Sequence, residues 1–235
     1  MKNQYFGDVN DYRKYGLLRA LQKPGDLKLA VGWMLTPDDD SGDGKFRHYL
    51  QVPRKWQRYD EPLFHHLSAA LSDGDTPSVA MIEEDSILPR AKFFSEVVPD
   101  ERSARALWGE RLVEFAAGAD LVFLDPDNGF EIPSKPIGWK NSSKYVAWYE
   151  IERLWKAGSS VLVYQHYCLQ PHDAFTARIA AELRRRTGAS IVEAFRTANV
   201  VFLLAAQRHH STVFEEAIAC HLPQWQGQVD VVRLS

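Results

Sequence analysis

Leu121, Val122, Phe123 and Leu124 run without interruption into Asp125-Pro126-Asp127-Asn128-Gly129, and that junction constrains the fold more than any other feature of the chain. Four consecutive apolar residues with no polar alternation read as a strand buried on both faces, the condition of parallel strands in α/β domains. Pro126 stiffens the exit and Asn128-Gly129 suits the positive φ of a tight turn, so the strand stops here and holds Asp125 at a defined angle. A carboxylate that ends a buried strand needs a partner. Asp127 and Asn128 read as polar site residues, with a simple turn as the alternative.

Similar apolar runs occur at 29–35, 160–164 and 200–205, with weaker ones at 78–82 and 190–195. Between them, apolar residues recur at helical spacing over 12–21, 61–71, 103–117, 144–156, 172–186 and 213–221. Alternating strands and helices imply right-handed crossovers and a parallel sheet. The last two runs are separated only by Arg196 to Asn199, which predicts an antiparallel pair. The expected fold is therefore α/β, a Rossmann-like open and mainly parallel sheet with an antiparallel C-terminal strand pair and a small insertion after the first strand. The expected organisation is one α/β domain over 1–235, with an insertion or lid at about 38–75, where Asp, Gly, Arg, Trp and His break the alternation.

A length of 235 residues, 45% hydrophobic and 25% charged, supports one sizeable core. The formal charge of −3 excludes a globally basic protein, so a nucleic-acid partner needs a local patch. Cys168 and Cys220 lie far apart, which argues against a disulfide scaffold or zinc knuckle and for a reducing, cytoplasmic setting. No apolar run approaches the roughly 20 residues of a membrane span, and the first residues lack a signal-peptide core, so a soluble chain is expected.

Ligands of open α/β sheets bind beyond the carboxyl ends of the strands. The residues following each apolar run are the candidates: 36–44, Glu83-Glu84-Asp85, Asp125 to Gly129, and Gln165-His166. Glu83 or Asp85 would hold a ribose by its hydroxyls or cap the next helix. His166 reads as a general base, as a metal ligand beside Asp125 and Asp127, or as a hydrogen-bonded structural histidine. Ahead of the first strand, Asp8 or Asn10 is placed to cap the helix at 12–21, and the surplus of polar groups around them, with Arg13 and Lys14, suggests a polar site. Lys135, Lys140 and Lys144, interleaved with Trp139 and Tyr145, form a local basic patch suited to a nucleic-acid backbone, and Ser142 or Ser143 is placed to cap the helix that follows.

Two of these motifs carry a family resemblance. The strand followed by Asp125-Pro126 resembles the Asp-Pro-Pro-Tyr motif of class I S-adenosylmethionine-dependent methyltransferases that modify amino groups. The segment from Phe6 to Tyr15 resembles the stretch before the first strand in ribosomal RNA adenine-N6 methyltransferases of the RlmJ type, whose Gly-Asn-x-x-Asp-x-x-Lys-His pattern is matched at Gly7, Asp11 and Lys14. The resemblance implies that Asp125 and the turn after it hold a target amino group, and that Gly7, Asn10, Asp11 and Lys14 lie near bound S-adenosylmethionine. The chain departs from the pattern in two places. Asp127 and Asn128 stand where the second Pro and the base-stacking aromatic belong, and no compact Gly-x-Gly follows the first strand.

The expectation is a methyltransferase acting on an amino group of a nucleic acid, with Asp125, Asp127, Asn128 and His166 catalytic, and Gly7, Asn10, Asp11, Lys14, Glu83 and Asp85 at the cofactor. The alternatives are a nuclease or phosphoesterase in which Asp125 and Asp127, with His166 or Glu131, hold Mg²⁺, and a degenerate methyltransferase fold that only binds.

Overall fold

The structure is a computed structural model that describes residues 1–39, 44, 46–72, 76–83 and 87–234. Its elements are α1 (Val9–Gln22), β1 (Leu29–Gly32), α2 (Pro53–Trp56), α3 (Glu61–Ala70), α4 (Ala80–Glu83), β2 (Ala91–Phe94), α5 (Arg102–Ala116), β3 (Leu121–Leu124), β4 (Gly129–Phe130), β5 (Tyr145–Val146), α6 (Trp148–Lys156), β6 (Ser160–His166), α7 (His172–Thr187), β7 (Ile191–Arg196), β8 (Val200–Ala206), α8 (Ser211–Glu216) and β9 (Asp230–Val232). Seven strands form one sheet in the order β2-β1-β3-β6-β8-β7-β9. β2, β1, β3 and β6 are parallel, and β8 is antiparallel to both of its neighbours, β6 and β7. The fold is α/β and Rossmann-like, with the antiparallel strand pair at its C-terminal end.

Alternation of side chains across each strand builds two cores. One face of the sheet, including Val31, Trp33, Leu121, Phe123, Leu162 and Phe202, packs against α1, α3 and the C-terminal turns through Tyr12, Leu18, Leu63, Phe64 and Trp225. The opposite face, including Val122, Leu124, Val161 and Val163, packs against α5, α6 and α7 through Trp108, Leu112, Ile151, Leu154 and Leu183. Leu121, Val122, Phe123 and Leu124 are each fully buried, divided between the two cores. The segment after β1 supplies Tyr49, Tyr59, Leu63 and Leu67 to the same core as α1. Among the described residues no helix is long and apolar enough to cross a membrane.

The structure corrects three expectations about elements. Residues 78–82 are not a strand: Ala80–Glu83 is one helical turn, with Val79 donating its amide to Asn3 Oδ1 at 3.1 Å. Four apolar residues are too few to show a period, which is why the run is ambiguous. The strand beside β1 is instead Ala91–Phe94, an edge strand whose residues before Phe94 are only half-buried, so Lys92 is tolerated within it. The helix expected from 144 starts at Trp148, because Tyr145 and Val146 pair with Gly129 and Phe130. Ser142 and Ser143 do not cap it; both bind Asp100, while Glu150 reaches back to the amide of Ala147 at 2.9 Å. The helix expected over 213–221 ends at Glu216 and continues as a π turn, Ala217–His221.

Candidate functional site at the carboxyl edge of the sheet

The chain leaves β1 for β2 on one side of the sheet and reaches β3 and β6 on the other, so strand order reverses between β1 and β3. At such a switch point the connections diverge and leave a crevice beyond the carboxyl ends of the strands. Register fixes what faces it. Gly32 pairs with Leu124 and Leu124 with Val163, so Asp125 and the Tyr164-Gln165-His166 end of β6 emerge side by side. The antiparallel pairing of His166 with Val200 brings Asn199 to the same edge. A cavity of about 440 Å³ opens there, lined by Asp125 to Asn128, Tyr164, His166 and Asn199, by Asp8, Asn10, Asp11 and Lys14 of the α1 end, and by Met1, Lys2, Tyr5, Phe46 and Lys144. That volume is in the range of small-ligand sites.

The bridge between the two halves is a buried ion-pair group. Lys14 Nζ lies 2.7 Å from Asp125 Oδ2 and 2.7 Å from Asp11 Oδ1, with all three side chains almost wholly buried. The other oxygen of Asp11 accepts the amide of Gly7 at 3.0 Å and the hydroxyl of Tyr15 at 3.4 Å. Gly7 is at φ +79°, a conformation that L side chains rarely adopt, and its turn delivers the amide to Asp11. Asp8, and not Asn10, caps α1: one oxygen takes the Asn10 amide at 2.8 Å and the other the Phe46 amide at 3.0 Å. α1 is thus anchored at its first turn and presents Lys14 one turn later.

Burial drives the protonation states here, and charge opposes it. Burial raises the Asp11 carboxyl to about 6; Lys14 holds it down, while Asp125 and Asp8 push it up. Burial would lower Lys14, but Asp11 and Asp125 outweigh it and its pKa stands above the ordinary value. Burial pushes Asp127 up, and the terminal ammonium, the Thr36 hydroxyl and Lys2 together bring it below the usual range. Tyr164 is carried well above its ordinary value by burial and by the nearby carboxylates, Asp125 foremost.

Asp127 is satisfied by the chain itself. Its Oδ1 is 2.6 Å from the Met1 ammonium, an ion pair outside hydrogen-bonding alignment, and its Oδ2 accepts the Thr36 hydroxyl at 2.7 Å. The same ammonium donates to the carbonyls of Asp125 at 3.0 Å and Met34 at 3.1 Å, and Met34 is in the left-handed region at φ +48°. Strained backbone of this kind gathers at functional sites. Asn128 donates its amide to Lys144 O at 2.9 Å, and its carbonyl accepts from the His166 amide at 3.1 Å. Gln165 bridges this turn to the strand, taking the Phe130 amide at 2.9 Å and giving its own amide to Asn128 O at 3.0 Å. His166 is exposed, and its Nε2 is 2.9 Å from the Tyr164 hydroxyl.

The cavity therefore brings together Asn10, Asp11, Lys14, Asp125, Asp127, Asn128 and His166 of the sequence-predicted residues, with Gly7 buried just behind Asp11. Glu83 stands apart: it ends the α4 turn and accepts the Trp33 indole and the Ser95 hydroxyl, each at 2.6 Å. Asp85 lies outside the described residues, as do Glu84 and residues 40–43. Arg13 turns away from the cavity to Gln228, its guanidinium over the Trp56 ring. Of the proposed basic patch, Lys144 lines the cavity; Trp139 is 62% exposed in the loop pinned by Asp100, with Lys140 beside it. Tyr164, Asn199 and Tyr5 were not legible as site residues. Tyr164 follows from strand period once the sheet edge is known, whereas Asn199 and Tyr5 depend on tertiary placement.

A serine, a histidine and an aspartate also meet elsewhere, since Ser160 Oγ is 2.9 Å from His210 Nδ1 and His210 Nε2 is 3.5 Å from Asp120. Ser160 is wholly buried at the amino end of β6 and accepts the Gln207 amide. It ties the β8 exit to the sheet and has no access to a substrate.

No protein-family model and no curated protein matches the chain.

Proposed function

We propose that the protein is an S-adenosylmethionine-dependent methyltransferase acting on an amino group of a nucleic acid. The observation that carries the reading is the meeting, in one cavity at the topological switch point, of the Asp125-Pro126-Asp127-Asn128 turn with the Asn10 to Lys14 end of α1. These are the two segments whose sequences resemble methyltransferase motifs. The strand order supports it too, since β8 is inserted antiparallel between β6 and β7 at the end of a parallel sheet.

The residues present suit the cofactor in kind. Phe46, 68% exposed, and half-buried Tyr5 offer apolar faces at the cavity, and Asn10, Asp11 and Lys14 offer polar and charged groups beside them. S-adenosylmethionine supplies the methyl group when bound. The carboxylate of Asp125 already accepts from one nitrogen donor, the Lys14 ammonium, at 2.7 Å, which supports its role toward a target nitrogen. Accepting N–H hydrogen bonds from a neutral target amine would leave the nitrogen lone pair free for methyl transfer. Lys14 fixes the rotamer of Asp125, and Lys144 stands at the rim where a phosphate would pass.

The metal-dependent reading finds less support. Asp125 and Asp127 are each engaged by a cation of the chain, so Mg²⁺ would have to displace Lys14 and the terminal ammonium. Among the described residues no three His, Cys, Asp or Glu side chains are grouped to hold a metal.

Calorimetric titration with S-adenosylmethionine tests the proposal. Saturable binding is expected, weakened at least about tenfold in Asn10→Ala, the loss of one hydrogen-bonding group to a charged ligand. Transfer of labelled methyl to nucleic acid should fall about 100-fold in Asp125→Asn, the usual scale for removing one polar contact to the reacting group. Absence of cofactor binding, together with Mg²⁺ or Mn²⁺ binding that is lost in Asp127→Ala, would sink the reading in favour of hydrolysis.

A further inference from the structure

A second cavity, of about 750 Å³, lies at the other end of α1. The first cavity touches α1 at Asn10, Asp11 and Lys14, the second at Gly16, Arg19, Ala20 and Gln22 and at Lys23 just past its end. Its remaining wall comes from α2 and the residues after it, from the start of α3, from the Pro89-Arg90 turn before β2, and from the turn containing Gln224 and Trp225.

The charges of this wall do not cancel. Arg19 Nε is 2.6 Å from Asp60 Oδ2, and Asp60 Oδ1 caps α3 at the Leu63 amide, so that carboxylate is fully used. Arg90 is paired with Asp26. What remains is Lys23, Arg54 and Arg58, all exposed and without a carboxylate partner among the described residues, against Glu61 alone. Arg58 is held in place by lying over the Tyr59 ring, 4.9 Å from its centroid, and by a 2.9 Å hydrogen bond to the Tyr59 hydroxyl. Exposed Lys55 adjoins them, its ammonium over the Trp56 ring. The cations come from the residue just past α1, from α2 and from the loop after α2, so they are distributed over the wall of the cavity.

We infer that this cavity binds the phosphate backbone of a nucleic acid and anchors the strand whose amino group enters the first cavity. Distributed guanidinium and ammonium groups suit successive phosphates, and arginine forks bind phosphate oxygens bidentately. In a chain of net charge −3, a local basic surface of this kind is what a nucleic-acid partner requires. α1, with about 1.5 Å of rise per residue, separates the two cavities by roughly 20 Å at most, a span that a short run of nucleotides crosses. The inference rests on the proposed function for its substrate, and its test is separable from that reading.

Fluorescence anisotropy of a labelled oligonucleotide, single-stranded and duplex, should show binding that weakens at least about tenfold in Arg54→Glu/Arg58→Glu, with the salt slope shallower by about 1.4 for a single strand, two phosphate contacts being lost. The calorimetric signal of S-adenosylmethionine should be unchanged in that variant. The inference is overturned by an oligonucleotide that does not bind, by binding equal in the double variant and the parent, by binding lost only in Lys140→Glu/Lys144→Glu, or by polyglutamate competing as well as the oligonucleotide. Should the double variant lose its cooperative thermal transition, Lys23→Gln and Arg54→Gln, both at exposed positions, carry the same comparison. Oligonucleotide binding that behaves as expected in a protein that does not bind S-adenosylmethionine would refute the methyltransferase reading and leave this surface standing.

Discussion

Replacing Lys14 by methionine removes the cation that Asp11 and Asp125 share while keeping most of the side-chain volume. Taking one partner from a buried ion pair leaves charge uncompensated in a low-dielectric interior, which costs about 3–5 kcal/mol. With a urea m-value of roughly 3 kcal/mol/M for a chain of this size, the midpoint should fall by about 1–2 M. The pH dependence gives the sharper test. Asp11 titrates at about 6 in the folded chain against 3.8 ordinarily, so the folded state binds its proton more tightly than the unfolded state does. Its contribution to stability is fully present below 3.8 and is lost as pH rises through about 6. Lys14, raised above 10.5, keeps its proton across that window and contributes stability that is lost only at more alkaline pH. Without Lys14 the charge that opposes the burial of Asp11 is gone, its pKa climbs further, and the destabilisation concentrates at neutral and alkaline pH. Urea unfolding of Lys14→Met and the parent at about pH 5 and about pH 8 should therefore show a distinctly larger midpoint difference at the higher pH. Equal differences at the two pH values, or a shift below about 0.3 M at the higher one, would refute the account of Lys14 as the group that neutralises the buried carboxylates.

Arg105 and Glu150 form a second buried pair, at 2.6 and 2.8 Å, that joins α5 to α6 and holds the Tyr145 carbonyl at 2.9 Å. Arg105→Met should cost about 3–5 kcal/mol in urea unfolding, and the double variant Arg105→Met/Glu150→Met should cost clearly less than the sum of the single changes because the pair is coupled. Gly129→Ala should destabilise by about 1–3 kcal/mol. Its φ is +122°, and a Cβ there would lie 2.2 Å from Gln165 Oε1. Hydrogen exchange should then accelerate at the Phe130 amide, whose acceptor is that oxygen. An unchanged exchange rate would show that Gln165 does not hold the turn.

The β3 junction shows why part of this protein is legible before it folds. Four apolar residues that must be buried on both faces fit a parallel strand and little else, and a proline two positions on sets where the strand ends. β1, β6 and β8 are read by the same rule, and each begins where its apolar run begins. β2 escapes it because an edge strand is covered on fewer sides, so Lys92 interrupts the run without penalty. The turn at Ala80–Glu83 is misread for the converse reason, since a short apolar run is buried equally well in either conformation.

The candidate site divides along the same line. Strand ends and the topological switch point follow from pattern, so Asp125, Asp127, Asn128 and His166 are legible as edge residues from the chain alone. The unusual density of polar groups before the first helix likewise marks Asn10, Asp11 and Lys14. Pairing is not legible: that Lys14 joins Asp11 to Asp125, or that Thr36 takes Asp127, depends on contacts across 111 and 91 residues. Nor is the basic cavity, whose cations count as free only once Arg19 and Arg90 are seen to be taken by Asp60 and Asp26. Sequence determined which groups reach the edge of the sheet, because hydrophobic burial and turn chemistry are local. Tertiary structure decided which charges meet there and which are left for a ligand, because electrostatic pairing depends on distance through space and on the burial that only packing creates.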